Sequence, residues 1–419
     1  MITSFSYQNN RLFCELVNLS EFAKTVETPF YLYSKNELIR NCRRVISAAK
    51  DVDLLPCYAL KANYNLHILK LIKDAGFGAD VVSGGELIFA LKAGFDPKKI
   101  VFAGVGKTAD EIDLAIHTGI HSLNIESMEE LKNVSSIAKK NKKTVAVAVR
   151  INPDIEAQTH DYISTGLHRN KFGVSAIEAL DMYKLIRDDP FLDADGLHVH
   201  IGSQITTSEP YKKTVKFLKD FAKTLESIGI RLSFIDLGGG IGINYENNFI
   251  NPETLAVYTD TILPDYLAGF KGLGLKLVIE LGRAIVGSAG LLITKVIYKK
   301  QTPVKKFLIV DAAMNNLIRP SLYSAYHEIV PLLLNDRDVE KIDVVGPVCE
   351  SGDFLGKDRN IQGTEPGEFL AVVGAGAYGQ VLASNYNLRP KIAEYLVDKK
   401  QTKVIFQQQK IESLLKDYD

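Results

Sequence analysis

A chain of 419 residues with 50 basic and 50 acidic side chains has a formal net charge of zero, which offers no footprint for nucleic acid or an acidic membrane surface. Its length exceeds one ordinary core and suits a large barrel with a second domain, and 46% hydrophobic residues with 31 glycines describe a globular enzyme. Four scattered cysteines (Cys14, Cys42, Cys57, Cys349) without a C-x-x-C pair suggest neither a zinc knuckle nor a disulfide framework; with no signal-like start and no run near the ~18 apolar residues of a membrane span, a cytoplasmic protein is expected.

Along the chain, the first 30 or so residues hold one short strand candidate, 11–16, expected to join a sheet formed by the C-terminal third. Eight short apolar runs follow, at 54–60, 79–82, 100–103, 122–125, 144–151, 196–201, 234–237 and 276–279, each succeeded by a segment of helical periodicity. Ser83-Gly84-Gly85-Glu86 and Thr108-Ala109-Asp110-Glu111 read as helix starts, with a capping hydroxyl and a carboxylate in the first turn. Eight strand–helix units predict a (β/α)8 barrel over 30–283, with its site at the C-terminal ends of the strands. Beyond Arg283 the β-rich runs 291–299, 307–310, 342–345, 369–373 and 403–406 are joined by turns. They predict a mainly antiparallel β-domain built from 1–29 and 284–419.

The strand ends carry the chemistry. Lys61 follows a run apolar enough to be buried on both faces, where desolvation makes an amine nucleophilic and fit for a Schiff base with a carbonyl cofactor; the plain alternative is a lysine snorkelling off a strand end. Strand 2 exits through Asp80 and Ser83-Gly84-Gly85, strand 5 at Arg150, and strand 6 through His198-Val199-His200-Ile201-Gly202-Ser203. Gly238-Gly239-Gly240 after strand 7 frees the backbone to turn N–H groups toward an anion, and Ser203, Gly282 and Arg283 add to the same cup. In an extended segment His198 and His200 point to opposite sides; His200 suits a flat ring stacked on a planar cofactor better than a metal, and no metal site is expected. Glu280 is either a partner for Arg283 or a carboxylate that keeps a heterocyclic nitrogen protonated.

In the second domain, Cys349 stands in the loop Cys349-Glu350-Ser351-Gly352-Asp353, a poor place for hydrophobic filler and a better one for a proton donor. Arg319 offers a bidentate fork for a carboxylate, with Tyr323 nearby in sequence, and Gly374-Ala375-Gly376-Ala377-Tyr378-Gly379 brings a phenol on a flexible loop.

These motifs together (Tyr58-Ala59-Leu60-Lys61-Ala62-Asn63, His198-Val199-His200-Ile201-Gly202-Ser203, Gly238–Gly240, Glu280-x-Gly282-Arg283, Cys349-Glu350-Ser351-Gly352-Asp353 and Ala377-Tyr378-Gly379) resemble the fold-type III pyridoxal-phosphate decarboxylases over about residues 25 to 400. The segment Gly166-Leu167-His168-Arg169-Asn170-Lys171-Phe172-Gly173 resembles the diaminopimelate branch. The resemblance implies pyridoxal 5'-phosphate as cofactor, a Schiff base at Lys61, ring stacking by His200 and a ring-nitrogen contact from Glu280. Asp80 and Arg150 would belong to the cofactor site, and Ser203, Gly238, Gly239, Gly240, Gly282, Arg283 and Tyr378 would line the phosphate cup. Substrate would meet Arg283, Arg319, Tyr323, Glu350 and Tyr378, and Cys349 would return a proton to the α-carbon. A homodimer with shared sites is implied, the cysteine loop coming from the partner chain.

One departure stands out: Leu281 replaces the proline usual between the glutamate and glycine of strand 8, which should loosen a turn. The expected activity is decarboxylation of meso-2,6-diaminopimelate to L-lysine and carbon dioxide. Alternatives are a related basic amino acid or carboxynorspermidine decarboxylase, or a catalytically silent regulatory homologue; retention of Lys61 and the cup argues against the last.

Overall fold

The computed structural model describes residues 4–155, 171–246, 258–416 and 418. The chain divides into two compact units, one of Cys42–Ile243 and Val257–Ala284, the other of Met1–Asn41, Asn244–Ala256 and Ile285–Asp419.

In the first unit eight parallel strands close into a barrel: Leu54–Ala59, Gly78–Val81, Ile100–Phe102, Ser122–Ile125, Val145–Arg150, Leu192–His198, Phe234–Asp236 and Lys276–Leu281. The eighth pairs with the first, Glu280 opposite Cys57 and Leu281 opposite Tyr58. Helix signals in the sequence act as expected. Thr108 caps Ala109–Thr118 in a reciprocal capping box with Glu111, and the Ser83 hydroxyl accepts the Glu86 N–H at the start of Gly84–Ala93. The sixth strand begins at Leu192, earlier than its apolar run. Asp193 and Asp195 obscure the pattern there, and the ladder shifts register between Asp193 and Gly196.

Period-two alternation explains what the barrel holds. Phe234, Val278, Val101, Ala148, Leu55 and Cys57 form a buried apolar cluster. A Cβ at Gly196 would lie 2.1 Å from the Phe234 ring, so that ring needs a glycine opposite it. Two residues on from Phe234 and Val278 along the same strands come Asp236 and Glu280, both buried. Asn124 and Asp80 are likewise buried in their strands, His198 at the end of the sixth. An apolar plug thus lies beneath a polar layer at the C-terminal end of the barrel.

The second unit is built on the long strand Gly290–Gln301, which pairs antiparallel with Lys306–Val310, Phe369–Val372 and Phe30–Ser34. Ala393–Asp398 adds in parallel to Phe30–Ser34, and Val339–Val345 in parallel to Lys306–Val310, so the nine-stranded sheet is mixed though mainly antiparallel. The N-terminal expectation needs correction: Arg11–Cys14 joins a small sheet with Phe5–Gln8 and Val17–Asn18, not the large one. Its Leu12 N–H still reaches the Leu332 carbonyl, and Leu12, Cys14, Phe30, Leu291 and Ile293 share one apolar core. Phe30–Ser34 inserts into the large sheet instead, because all five of its residues are apolar or small enough to be buried.

Candidate active site

The first strand ends at Ala59 and turns through Leu60–Ala62, a single 3-10 turn held by the Tyr58 hydroxyl donating to the Asn63 carbonyl at 3.0 Å. This turn presents Lys61. Its Nζ lies 3.2 Å from Asp80 Oδ2, and the lysine side chain is 38% exposed whereas the aspartate is fully buried. The amine therefore leaves a buried strand yet stays reachable from outside. Burial, followed by the charge of Glu280, pushes Asp80 up to about 7 even though Lys61 opposes both.

Beside the lysine stands Glu280. His198 Nε2 is 3.5 Å and His200 Nδ1 3.9 Å from its carboxylate, so the two rings do not part to opposite sides as an extended segment would place them. The sixth strand stops at His198, so strict alternation does not extend to His200. The Gly239 N–H donates to His200 Nδ1 at 3.1 Å, which fixes that nitrogen as an acceptor. Burial and the nearby Arg150 hold this imidazole well below its ordinary range, so it is neutral. Burial alone would raise Glu280, but His198 and Lys61 outweigh it and keep the group ionised.

The glycine run after the seventh strand is sterically required. A Cβ on Gly239 would sit 1.9 Å from the Glu280 carbonyl oxygen. Gly240 has φ of +98° and its Cβ would meet the Gly202 carbonyl at 2.2 Å. Opposite, Arg283 Nη2 donates to Ser203 Oγ at 3.1 Å. Gly282 lets the end of strand 8 approach the lysine turn, since a Cβ there would be 2.8 Å from that of Ala62. Leu281 does not loosen this exit: it remains in the strand, buried and paired with Tyr58.

Arg150, from the fifth strand, donates to Glu126 Oε1 at 2.8 Å and lies 4.7 Å from the Phe172 ring centroid. Glu126 also accepts the N–H groups of Gly104 and Gly173, while Lys107 pairs with Glu130 at 2.6 Å. Sequence reasoning named Arg150 and missed this supporting network, whose only signal was charge at strand ends. It also gave no role to Asp236, at the exit of the seventh strand, and passed over Asn124, both polar residues in otherwise buried strands. Positions 166–170 of the Gly166–Gly173 segment lie outside the described residues.

The second unit carries the other named residues. Arg319 opens the helix Arg319–Tyr323. Its Nη1 donates to His327 Nε2 at 2.6 Å, while His327 Nδ1 donates to the Val373 carbonyl at 2.7 Å, and the guanidinium lies 4.8 Å from the Tyr245 ring. Asp353 organises the cysteine loop by accepting the N–H groups of Met314 and Val348, both at 2.7 Å. The exposed Cys349 donates its backbone N–H to Asn387, and the Tyr386 hydroxyl reaches Glu350 at 3.5 Å. Tyr378 adopts φ of +56° in its glycine-rich loop.

A closed parallel barrel with a reachable strand-end lysine, a glycine cup and an ionised carboxylate on one rim is the architecture of an enzyme that holds a phosphorylated carbonyl cofactor. Residues 35–287 match the family model "Pyridoxal-dependent decarboxylase, pyridoxal binding domain". The chain is 44% identical over 401 residues to a diaminopimelate decarboxylase of Aquifex aeolicus, covering 95% of this chain and 93% of that one. It is 45% identical over 404 residues to a Helicobacter pylori diaminopimelate decarboxylase, covering 95% and 97%. A crystal structure of the enzyme from Helicobacter pylori complexed with L-lysine superposes with a TM-score of 0.90 at 43% identity, covering 96% of this chain and 99% of that one. The chain belongs to the pyridoxal-dependent decarboxylase family. Among the described residues, no helix is long and apolar enough to cross a membrane.

Proposed function

We propose that this chain binds pyridoxal 5'-phosphate and decarboxylates meso-2,6-diaminopimelate to L-lysine and carbon dioxide, the last step of lysine biosynthesis. The observation that carries the reading is the convergence of Lys61, Glu280, His200 and the Gly238–Gly240 cup on one rim of the barrel. The donor set fits the cofactor: an amine for its carbonyl, a neutral imidazole for its ring face, an ionised carboxylate for its ring nitrogen and a backbone cradle for its phosphate. When bound, the cofactor would accept the electron pair left on the α-carbon as carbon dioxide departs.

The protein's own groups do the rest. Lys61 supplies the anchoring amine, and Asp80, with an affinity for protons matched to neutral pH, exchanges one at Nζ. Glu280 holds a proton at the ring nitrogen by its negative charge. Arg319 and Tyr323 bind the substrate's distal carboxylate, Glu350 its distal ammonium, and Cys349 delivers a proton to the α-carbon.

We further assign the chain to a cytoplasmic homodimer with shared sites, the cysteine loop of one protomer completing the barrel of its partner. Exposure of Cys349 supports this, as do the exposed apolar side chains Leu382, Tyr386 and Leu388 in the same part of the sequence.

Selectivity tests the substrate. An amine-ended substrate such as ornithine leaves Arg319 without a carboxylate, so kcat/KM for meso-diaminopimelate should exceed that for ornithine by on the order of 10³ or more. Arg319→Ala should collapse that ratio chiefly by losing the diaminopimelate activity. Equal turnover of ornithine by the wild-type protein rejects the assignment.

A further inference from the structure

Besides Asp80 and Glu280 the barrel holds a further buried carboxyl group, Asp236, to which the proposed chemistry gives no part. Asp236 ends the seventh strand, and ligand-type atoms of Asp236, Glu280 and His198 all lie within 4.8 Å of one another. Asn124, on the fourth strand, reaches across the barrel interior and donates its amide to Asp236 Oδ2 at 3.0 Å and to Glu280 Oε1 at 3.4 Å. The other Asp236 oxygen accepts the N–H of Gly238 at 3.0 Å. One side chain therefore touches the backbone of the anion cup and shares a donor with the carboxylate assigned to the ring nitrogen.

Two carboxyl groups this close and sealed from water do not both ionise. Their neighbours decide which keeps the proton. Glu280 faces Lys61 and His198, which favour its charge, the neutral ring of His200, and Asp80, which opposes it. Asp236 faces the Cys57 thiol of the first strand, the Tyr266 phenol of the helix Tyr258–Ala268, the Asn124 amide and Glu280 itself. Burial, then the charge of Glu280 and a hydrogen bond with it, pushes Asp236 well above the carboxylate range.

We propose that Asp236, seconded by Asn124, is a positioning residue that holds the Glu280 carboxylate through one shared proton and ties it to the first glycine of the cup. The catalytic consequence rests on pyridoxal phosphate being the cofactor, whereas the shared proton is a property of the chain alone. The same three groups could instead hold a cation, but the Asn124 amide is a donor aimed at both carboxyl groups, which suits a proton-sharing pair.

The test compares Asp236→Asn, Asp236→Ala, Glu280→Gln and the Asp236→Ala/Glu280→Gln double variant with wild type. The first readout is stability of cofactor-free protein against pH. An acid whose folded pKa is raised above its unfolded value near 3.8 stabilises fully below that value and loses the contribution as pH rises toward the folded pKa. From about pH 5 upward, until the folded pKa is reached, one retained proton costs the wild-type folding constant about tenfold per pH unit relative to a chain without it. Asp236→Asn should lack that decline; Asp80 is present in both proteins and cancels. The second readout is pyridoxal-phosphate affinity of the loaded proteins. Asn keeps a donor and an acceptor and should stay within about threefold of wild type, while Ala should weaken binding roughly tenfold. In the double variant the Ala effect should shrink, because Asp236 acts through Glu280.

An Asp236→Asn slope equal to wild type, or Asn as damaging as Ala, overturns the proposal; so does a metal ion recovered stoichiometrically with the wild-type protein and lost from Asp236→Asn. A wild-type protein that takes up no pyridoxal phosphate would instead reject the cofactor reading, with the pH slopes still deciding the shared proton.

Discussion

Lys61 is informative because a charge follows directly on a strand that is otherwise buried, and the structure gives that charge a buried partner in Asp80. Lys61→Ala should lose carbon dioxide release by on the order of a thousandfold or more, and with it the visible absorption of a lysine-bound cofactor. Retention of that absorption by the variant would move the anchoring amine elsewhere. Cys349→Ala should bind cofactor normally yet turn over about 10² to 10⁴ times more slowly, read by single-turnover kinetics; an unchanged rate removes its role as proton donor. His327 illustrates what residue-level reading misses. Nothing in the sequence marks it, but its ring accepts from Arg319 and donates to Val373, so His327→Phe should destabilise the protein by about 1–3 kcal/mol in urea unfolding and raise KM more than it lowers kcat.

At the scale of elements, the barrel strands were legible because parallel strands covered on both faces read as apolar runs. Their interior layering was not. Asp236 and Asn124 each sit two residues beyond a residue facing the barrel axis or its neighbours, and only closure of the ladder reveals which polar groups share a level. The sixth strand was trimmed for a similar reason, since Asp193 and Asp195 disguise a strand that carries a register shift. The glycine cup was legible as a run of three, but not its cause, the close approach of Gly239 to the Glu280 carbonyl. Gly239→Ala must displace either strand end, and should weaken pyridoxal-phosphate binding at least tenfold by equilibrium dialysis while Gly106→Ala, with open space around it, leaves binding unchanged. The Glu126 carboxylate ties the exit of the third strand, through Gly104, to Arg150 at the end of the fifth and to the Gly173 backbone. Removing it as Glu126→Ala leaves a buried guanidinium short of its charge partner, and should cost about 3–5 kcal/mol in denaturant unfolding.

For the molecule as a whole, the two architectures were readable from the change in rhythm after Arg283, from strand–helix alternation to strands joined by turns. What the sequence concealed was which N-terminal strand enters the large sheet. Only the 11–16 run was singled out as a strand, yet Phe30–Ser34 takes the interior place, because pairing with Gly290–Gln301 and Ala393–Asp398 is decided by partners more than 250 residues away. The proposed function stands on one reaction. Purified protein supplied with pyridoxal phosphate and meso-2,6-diaminopimelate should release carbon dioxide and L-lysine in equal amounts, with no release from Lys61→Ala. Cofactor-loaded wild-type protein that yields no lysine from meso-diaminopimelate, while releasing carbon dioxide from ornithine or arginine, would contradict it.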